Sequence, residues 1–190
     1  MKLQALITLS VLAISLSGCG ETGGVAAITG QNLACLSGTW QQNMADLQSQ
    51  YNQLMPETIR ATVVSGTSTF TFNADHTFSQ QLNNVKVQSN IAGNGLDPSI
   101  GDNMTMEIGM NGTVTGQYNT DATGALFFEN MNAQNLVSST SMNGQPMMNN
   151  QSMGMLPTGT RSTVAATCAG NDMTLNYIIG SKTVALHLSR

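Results

Sequence analysis

The chain has 190 residues and a formal net charge of −4, from 10 acidic against 6 basic side chains. Charged residues make up only 8% of it, far below the usual quarter, and Asn, Gln, Ser and Thr take their place. With no basic run anywhere along the chain, nucleic acid and anionic head groups are poor candidates for partners.

Lys2 precedes an apolar stretch, Leu3 to Leu16, interrupted only by Gln4, Thr8, Ser10 and Ser15. A positive start and an apolar run of this length have the form of a secretory signal peptide. The run falls short of the roughly 20 apolar residues that span a bilayer, and no basic stop-transfer residues follow it. Leu16-Ser17-Gly18-Cys19 resembles the lipobox of bacterial lipoproteins, which implies cleavage of the signal peptide 1–18 and acylation (palmitate among the acyl chains) of Cys19. At about 0.8 kcal/mol per buried methylene, two or three acyl chains hold such a protein on a membrane permanently. In Gram-negative lipoproteins an Asp after the lipidated cysteine retains the protein at the inner membrane. Gly20 stands there instead, which implies the outer membrane.

Removing the first 18 of 190 residues leaves 172, with ten acidic against five basic groups once Lys2 is gone. Residues 19–31 read as a lipidated tether rich in Gly, Ala and Thr. Residues 32–190 read as one domain, long enough for a real core. With Cys19 acylated, Cys35 and Cys168 are the remaining thiols, and an oxidising compartment makes a disulfide the expectation. Such a bond closes a loop of roughly 130 residues, worth about 4–5 kcal/mol in the chain-entropy model. A redox pair or a metal site would call for a C-x-x-C or nearby histidines, which the sequence lacks.

Along the domain, Met44, Leu47, Tyr51, Leu54 and Met55 recur at helical spacing and stop at Pro56, predicting one short amphipathic helix. After it the period changes. Thr58 to Ser65, Thr69 to Asn73 and Thr77 to Leu82 carry β-branched and aromatic residues between turn signals, Ser65-Gly66 and Asn73-Ala74-Asp75-His76. Val85 to Ile91 continues the third strand past an Asn83-Asn84 bulge, and Asn94-Gly95-Leu96-Asp97-Pro98 breaks the chain. Met104 to Ile108 and Thr113 to Tyr118 flank Asn111-Gly112, which predicts a hairpin turn. Ala125 to Phe128 opens a strand running through Leu136 and Val137. From Ser141 to Gly159 periodicity disappears among Asn, Gly, Pro and Met, predicting a long loop. Thr160 to Cys168, Met173 to Ile179 and Thr183 to Leu188 finish as strands joined at Gly170-Asn171 and Gly180-Ser181. These elements predict an all-β fold: an antiparallel barrel of eight to ten strands with one short N-terminal helix, closure being favoured because it removes exposed edges.

Three segments carry a family resemblance. Gly38-Thr39-Trp40 looks like the Gly-x-Trp that opens lipocalin-like domains. Phe70-Thr71-Phe72-Asn73-Ala74-Asp75-His76-Thr77-Phe78 resembles a hairpin common in bacterial lipocalin-like lipoproteins, with His76 where Gly is usual. Gly170-Asn171-Asp172-Met173-Thr174-Leu175, with a last strand ending in Arg190, resembles their closing hairpin. The resemblance implies a lipocalin-like barrel in which Arg190 stacks on Trp40 over the barrel floor. It also implies a cup that holds a small apolar ligand, or a closed barrel filled by its own side chains. The inner wall is then expected from Trp40, Phe70, Phe72, Phe78, Met104, Met106, Tyr118 and Phe128.

For chemistry there are two histidines, His76 in a turn and His187 on the last strand, and no G-x-S-x-G motif. The expectation is a non-enzymatic protein without a cofactor, acting by binding an apolar ligand or as an interaction module. The alternative is an assembly protein docking a partner complex at the outer membrane. Of the thirteen methionines, Met142, Met147, Met148, Met153 and Met155 crowd one predicted loop. Soft thioethers are able to bind Cu(I), so this loop is also a candidate metal site. Packing of irregular apolar surface is the simpler use of methionine.

Overall fold

The computed structural model describes residues 35–54, 59–92, 103–120, 126–152, 162–179 and 182–190. The signal peptide, Cys19, the tether, the break at Asn94 to Pro98, the Gly180-Ser181 turn, Met55, Met153 and Met155 lie outside them. Among the described residues are nine strands and one helix: β1 Gly38–Gln42, α1 Met44–Leu54, β2 Ile59–Phe72, β3 Thr77–Ala92, β4 Asn103–Thr120, β5 Leu126–Met142, β6 Gln145–Ser152, β7 Ser162–Ala169, β8 Asp172–Ile179 and β9 Lys182–Ser189.

Every pairing is antiparallel, and the order β4-β3-β2-β1-β9-β8-β7-β5-β6 with an added β4–β5 pairing closes β1 to β5 and β7 to β9 into an eight-strand barrel. The all-β barrel with one short helix, expected from the alternation, is therefore present. β6 stands outside the ring. It pairs with β5 from Val137↔Ser152 to Met142↔Gln145, whereas β7 meets the same edge of β5 only at Leu126↔Val164 to Phe128↔Ser162. β6 and β7 thus lie end to end along one strand.

Two strands are longer than their turn signals suggest. Ser65-Gly66 does not separate two strands: β2 runs through it. Asn111-Gly112 is not a hairpin either, because β4 continues for 18 residues across it. These dipeptides are bends. Register shifts fall between Val63 and Thr67 on β2, Leu82 and Val85 on β3, and Thr113 and Gln117 on β4. The Asn83-Asn84 bulge is where the sequence placed it, with Asn84 at φ 49° and its N–H bonded to the Asn111 Oδ1. Gly112 sits at φ 127°, and a Cβ there would lie 1.9 Å from the Asn135 carbonyl oxygen, so only glycine lets β4 and β5 approach at this level. Leu82 opposes Gly112, which opposes Leu136, so the irregularities line up from strand to strand and bend the sheet along one row.

The loop expected from Ser141 to Gly159 is overturned as far as residue 152. β5 extends to Met142, Asn143 and Gly144 turn at φ 49° and 75°, and β6 returns. Positive φ at both central residues is what a two-residue type I′ hairpin demands. Pro146 is tolerated because β6 is an edge strand.

Helix α1 starts at Asn43, whose Oδ1 accepts from the Ala45 N–H, and it buries Leu47 and Tyr51 in the core. It takes the place of a strand. β1 is only five residues long, which leaves the outer part of β2 and of β9 without a neighbouring strand. Side-chain amides of α1 supply the missing bonds. Asn52 donates to the Ala61 carbonyl at 3.0 Å and accepts from its N–H at 2.7 Å, Gln48 accepts from the Val63 N–H, and Gln50 donates to the Ala185 carbonyl at 2.6 Å. An unmet backbone group buried at these edges would cost about 1–3 kcal/mol each.

Candidate functional site

The end of the barrel near the β2–β3 hairpin is closed by three groups the sequence singled out. Arg190 places its guanidinium 4.0 Å from the Trp40 ring centre and donates to the Cys35 and Ser37 carbonyls. Trp40 is fully buried and donates to the Leu36 carbonyl at 2.8 Å. Gly38 is at φ 125°, with the Arg190 guanidinium 3.1 Å from where a Cβ would stand, which is why the position before Thr39-Trp40 is a glycine. Cys35 bonds to Cys168 on β7 with 6.2 Å between Cα atoms, so the expected disulfide spans 133 positions and ties the segment before β1 to the closing strands. The Trp40–Arg190 stacking implied by the lipocalin resemblance is present as geometry.

Inside this end the aromatic residues converge. Phe72 meets Tyr118 edge-on at 5.3 Å, and Phe78 meets Phe128 edge-on at 4.9 Å. Phe70 stacks on Phe72 at 6.4 Å. All five are buried, and pairs of this geometry add about 0.5–1.5 kcal/mol beyond area burial. The Tyr118 hydroxyl donates to the Asn73 carbonyl. Burial first, and the Asp75 charge second, push its pKa up. His76 takes the left-handed conformation at φ 66°, one that glycine adopts more readily, and its ring stacks on Tyr118 at 5.5 Å.

Met104 and Met106 are also buried but lie on the other side of the bend in β4, away from the aromatic group. Here the inner face is of another kind. Met106 opposes Ser89 on β3 and Met142 on β5, and Thr140 opposes Met148 on β6. Directly opposed residues share a face, so Met106, Ser89, Met142, Thr140 and Met148 share it, with Met104 two residues further along β4. Met147 belongs to the opposite face and is 57% exposed. The loop cluster expected from Met142, Met147, Met148, Met153 and Met155 is therefore divided: Met142 and Met148 turn inward, Met147 outward, and Met153 and Met155 lie outside the described residues.

Sequence reasoning missed the buried polar groups of the inner face. Ser89 is fully buried and Thr140 is 3% exposed, yet neither hydroxyl has a hydrogen-bond partner; the Gln80 Oε1 and the Tyr177 hydroxyl are in the same position. Burial pushes the Tyr177 hydroxyl pKa far up. The signal was available, since Ser89 falls in register with Val85 and Val87, and Thr140 with Leu136 and Ser138, along inward faces. The two histidines stand apart from each other. His187 Nδ1 lies 2.9 Å from the Asp46 Oδ2, an exposed pair that joins β9 to α1.

No family model, curated protein or solved structure matches this chain. The geometry defines its class: a closed, antiparallel, eight-strand barrel with a disulfide and a Trp–Arg stack at one end and a methionine-lined sheet extension at the other.

Proposed function

We propose that this is a lipid-anchored, non-enzymatic protein of the bacterial outer membrane whose lipocalin-like barrel serves as an interaction module. One observation carries the preference for a module over a carrier of small apolar molecules. The expected lining residues Phe70, Phe72, Phe78, Tyr118 and Phe128 pack one end of the barrel against one another, with ring centres 4.9 to 6.4 Å apart. A barrel packed this way leaves recognition to its outer surface, where uncharged amides and hydroxyls predominate and Met147 is the one large apolar side chain exposed among the described residues. The lipobox-like Leu16 to Cys19 and Gly20 support the anchor and its address.

Two measurements test this. Native mass spectrometry and solvent extraction of the protein purified from membranes are expected to find acyl chains on Cys19 and no other lipid-like molecule. A stoichiometric extractable ligand would restore the carrier reading. Cys19→Ala is expected to move the protein from the membrane fraction to the soluble one. Retention on the membrane would remove the anchor from the proposal.

A further inference from the structure

We propose that the methionine face of the sheet extension is a binding site for a soft monovalent cation, Cu(I), centred on the opposed pair Met106 and Met142 and flanked by Met104 on one side and Met148 on the other. The register assembles it from three strands. Met106 of β4 is directly opposed to Met142 of β5, and Met148 of β6 is opposed to Thr140, two residues from Met142 on the same face. Opposed side chains on one face have Cβ atoms about 4.5–5.5 Å apart, within the reach of long side chains. Met104 completes the group from the next inward position of β4. Met110, the third inward methionine of β4, is already engaged, since its sulfur faces the Tyr51 hydroxyl at 3.9 Å.

A cluster of methionines would by itself be ordinary packing. The second observation is the pair of hydroxyls set among them. Ser89 opposes Met106, Thr140 opposes Met148, both are buried, and neither oxygen has a partner. A face built only to pack would lose about 1–3 kcal/mol for each such oxygen. Unpartnered hydroxyl oxygens on the same face as the thioethers are instead available as supporting donors to a cation. Thioethers select a soft ion over Zn(II) or Mg(II), and among the described residues no carboxylate shares the face: Glu107 belongs to the opposite one, paired with Lys86. Met142 and Met148 are only half-buried while Met104 and Met106 are buried, so the approach for the ion is from the β5–β6 hairpin.

The test is anaerobic titration of the purified full protein with Cu(I) in competition with bicinchoninate, with X-ray absorption at the copper edge. The expected result is one Cu(I) per chain in a sulfur-rich shell, with Zn(II) not competing. Met106→Leu with Met142→Leu keeps the volume of the face and is expected to abolish this uptake. Met147→Leu, on the opposite face, is expected to leave it unchanged. Ser89→Ala is expected to weaken it about 10-fold, the usual scale for a supporting group beside a metal. Failure of the unaltered protein to take copper from bicinchoninate overturns the proposal, as does undiminished binding by the double variant with its circular dichroism unchanged.

Discussion

The two ends of the barrel wall use the same alternation to different effect. Near the β2–β3 hairpin, inward positions carry Phe70, Phe72, Phe78, Tyr118 and Phe128, rings with few rotamers held in edge and offset contacts. Beyond the row of bends, inward positions carry Met104, Met106, Met142 and Met148, with unpartnered Ser89 and Thr140 between them. The first arrangement fixes one packing, while the second is soft and polarizable. The bends at Gly66, Asn84 and Gly112 are what allow one set of strands to serve both. Stability is concentrated at the aromatic end, where the disulfide and Arg190 also lie, and adaptability at the other.

That contrast can be broken from its stronger side first. Reducing Cys35–Cys168, or making Cys35→Ser, is expected to cost about 4–5 kcal/mol for a loop of this length, read as a drop in denaturation midpoint. Phe72→Ala is expected to cost about 3–5 kcal/mol, because the cavity opens among rigid rings. Met106→Ala, equally buried, is expected to fall at the low end of about 2–5 kcal/mol, because flexible methionines around it close over the space. Equal costs at Phe72 and Met106 would remove the distinction between the ends.

The row of bends offers a finer test. Gly112→Ala must meet both a positive φ and the Asn135 carbonyl, whereas a Cβ at Gly144 meets nothing within 4 Å. Gly144→Ala is expected to cost about 1–2 kcal/mol, the price of the left-handed conformation alone, and Gly112→Ala distinctly more, with the difference measured by urea denaturation. The smallest effect is at the β2–β3 turn. Hydrogen bonds from the Thr77 hydroxyl and N–H hold the Asp75 carboxyl below its ordinary range. A lowered folded-state pKa contributes stability above the ordinary carboxylate pKa, and that contribution is lost as pH falls through the lowered one. Asp75→Asn is therefore expected to trim the melting temperature slightly at neutral pH and to converge with the unaltered protein in acid.

The same two Asn-Gly dipeptides show how far the sequence was legible. Asn111-Gly112 lies between alternating apolar runs, the usual sign of a hairpin, and yet the chain passes straight through, because tertiary pairing with β3 and β5 overrides the local signal. Asn143-Gly144 is the true turn, hidden because β6 reads Gln145-Pro146-Met147-Met148-Asn149-Asn150. An edge strand with one partner has little to bury and so little alternation to display. Strand identity, the helix, the disulfide and the Trp40–Arg190 pair followed from local pattern or resemblance. The methionine face did not, since Met106 and Met142 come together only through the register of two long strands. The helix side-chain amides of Gln48, Gln50 and Asn52 were equally silent, because their role depends on β1 ending early.

The closing pair of the barrel joins Gln41 to Ser189, and the covalent lock joins Cys35 to Cys168. Both closures wait for residues at least 133 positions further along the chain. Folding that depends on such distant pairings is slow. The ring therefore stays open until β9 has been made, and the disulfide adds its lock only where thiols are oxidised.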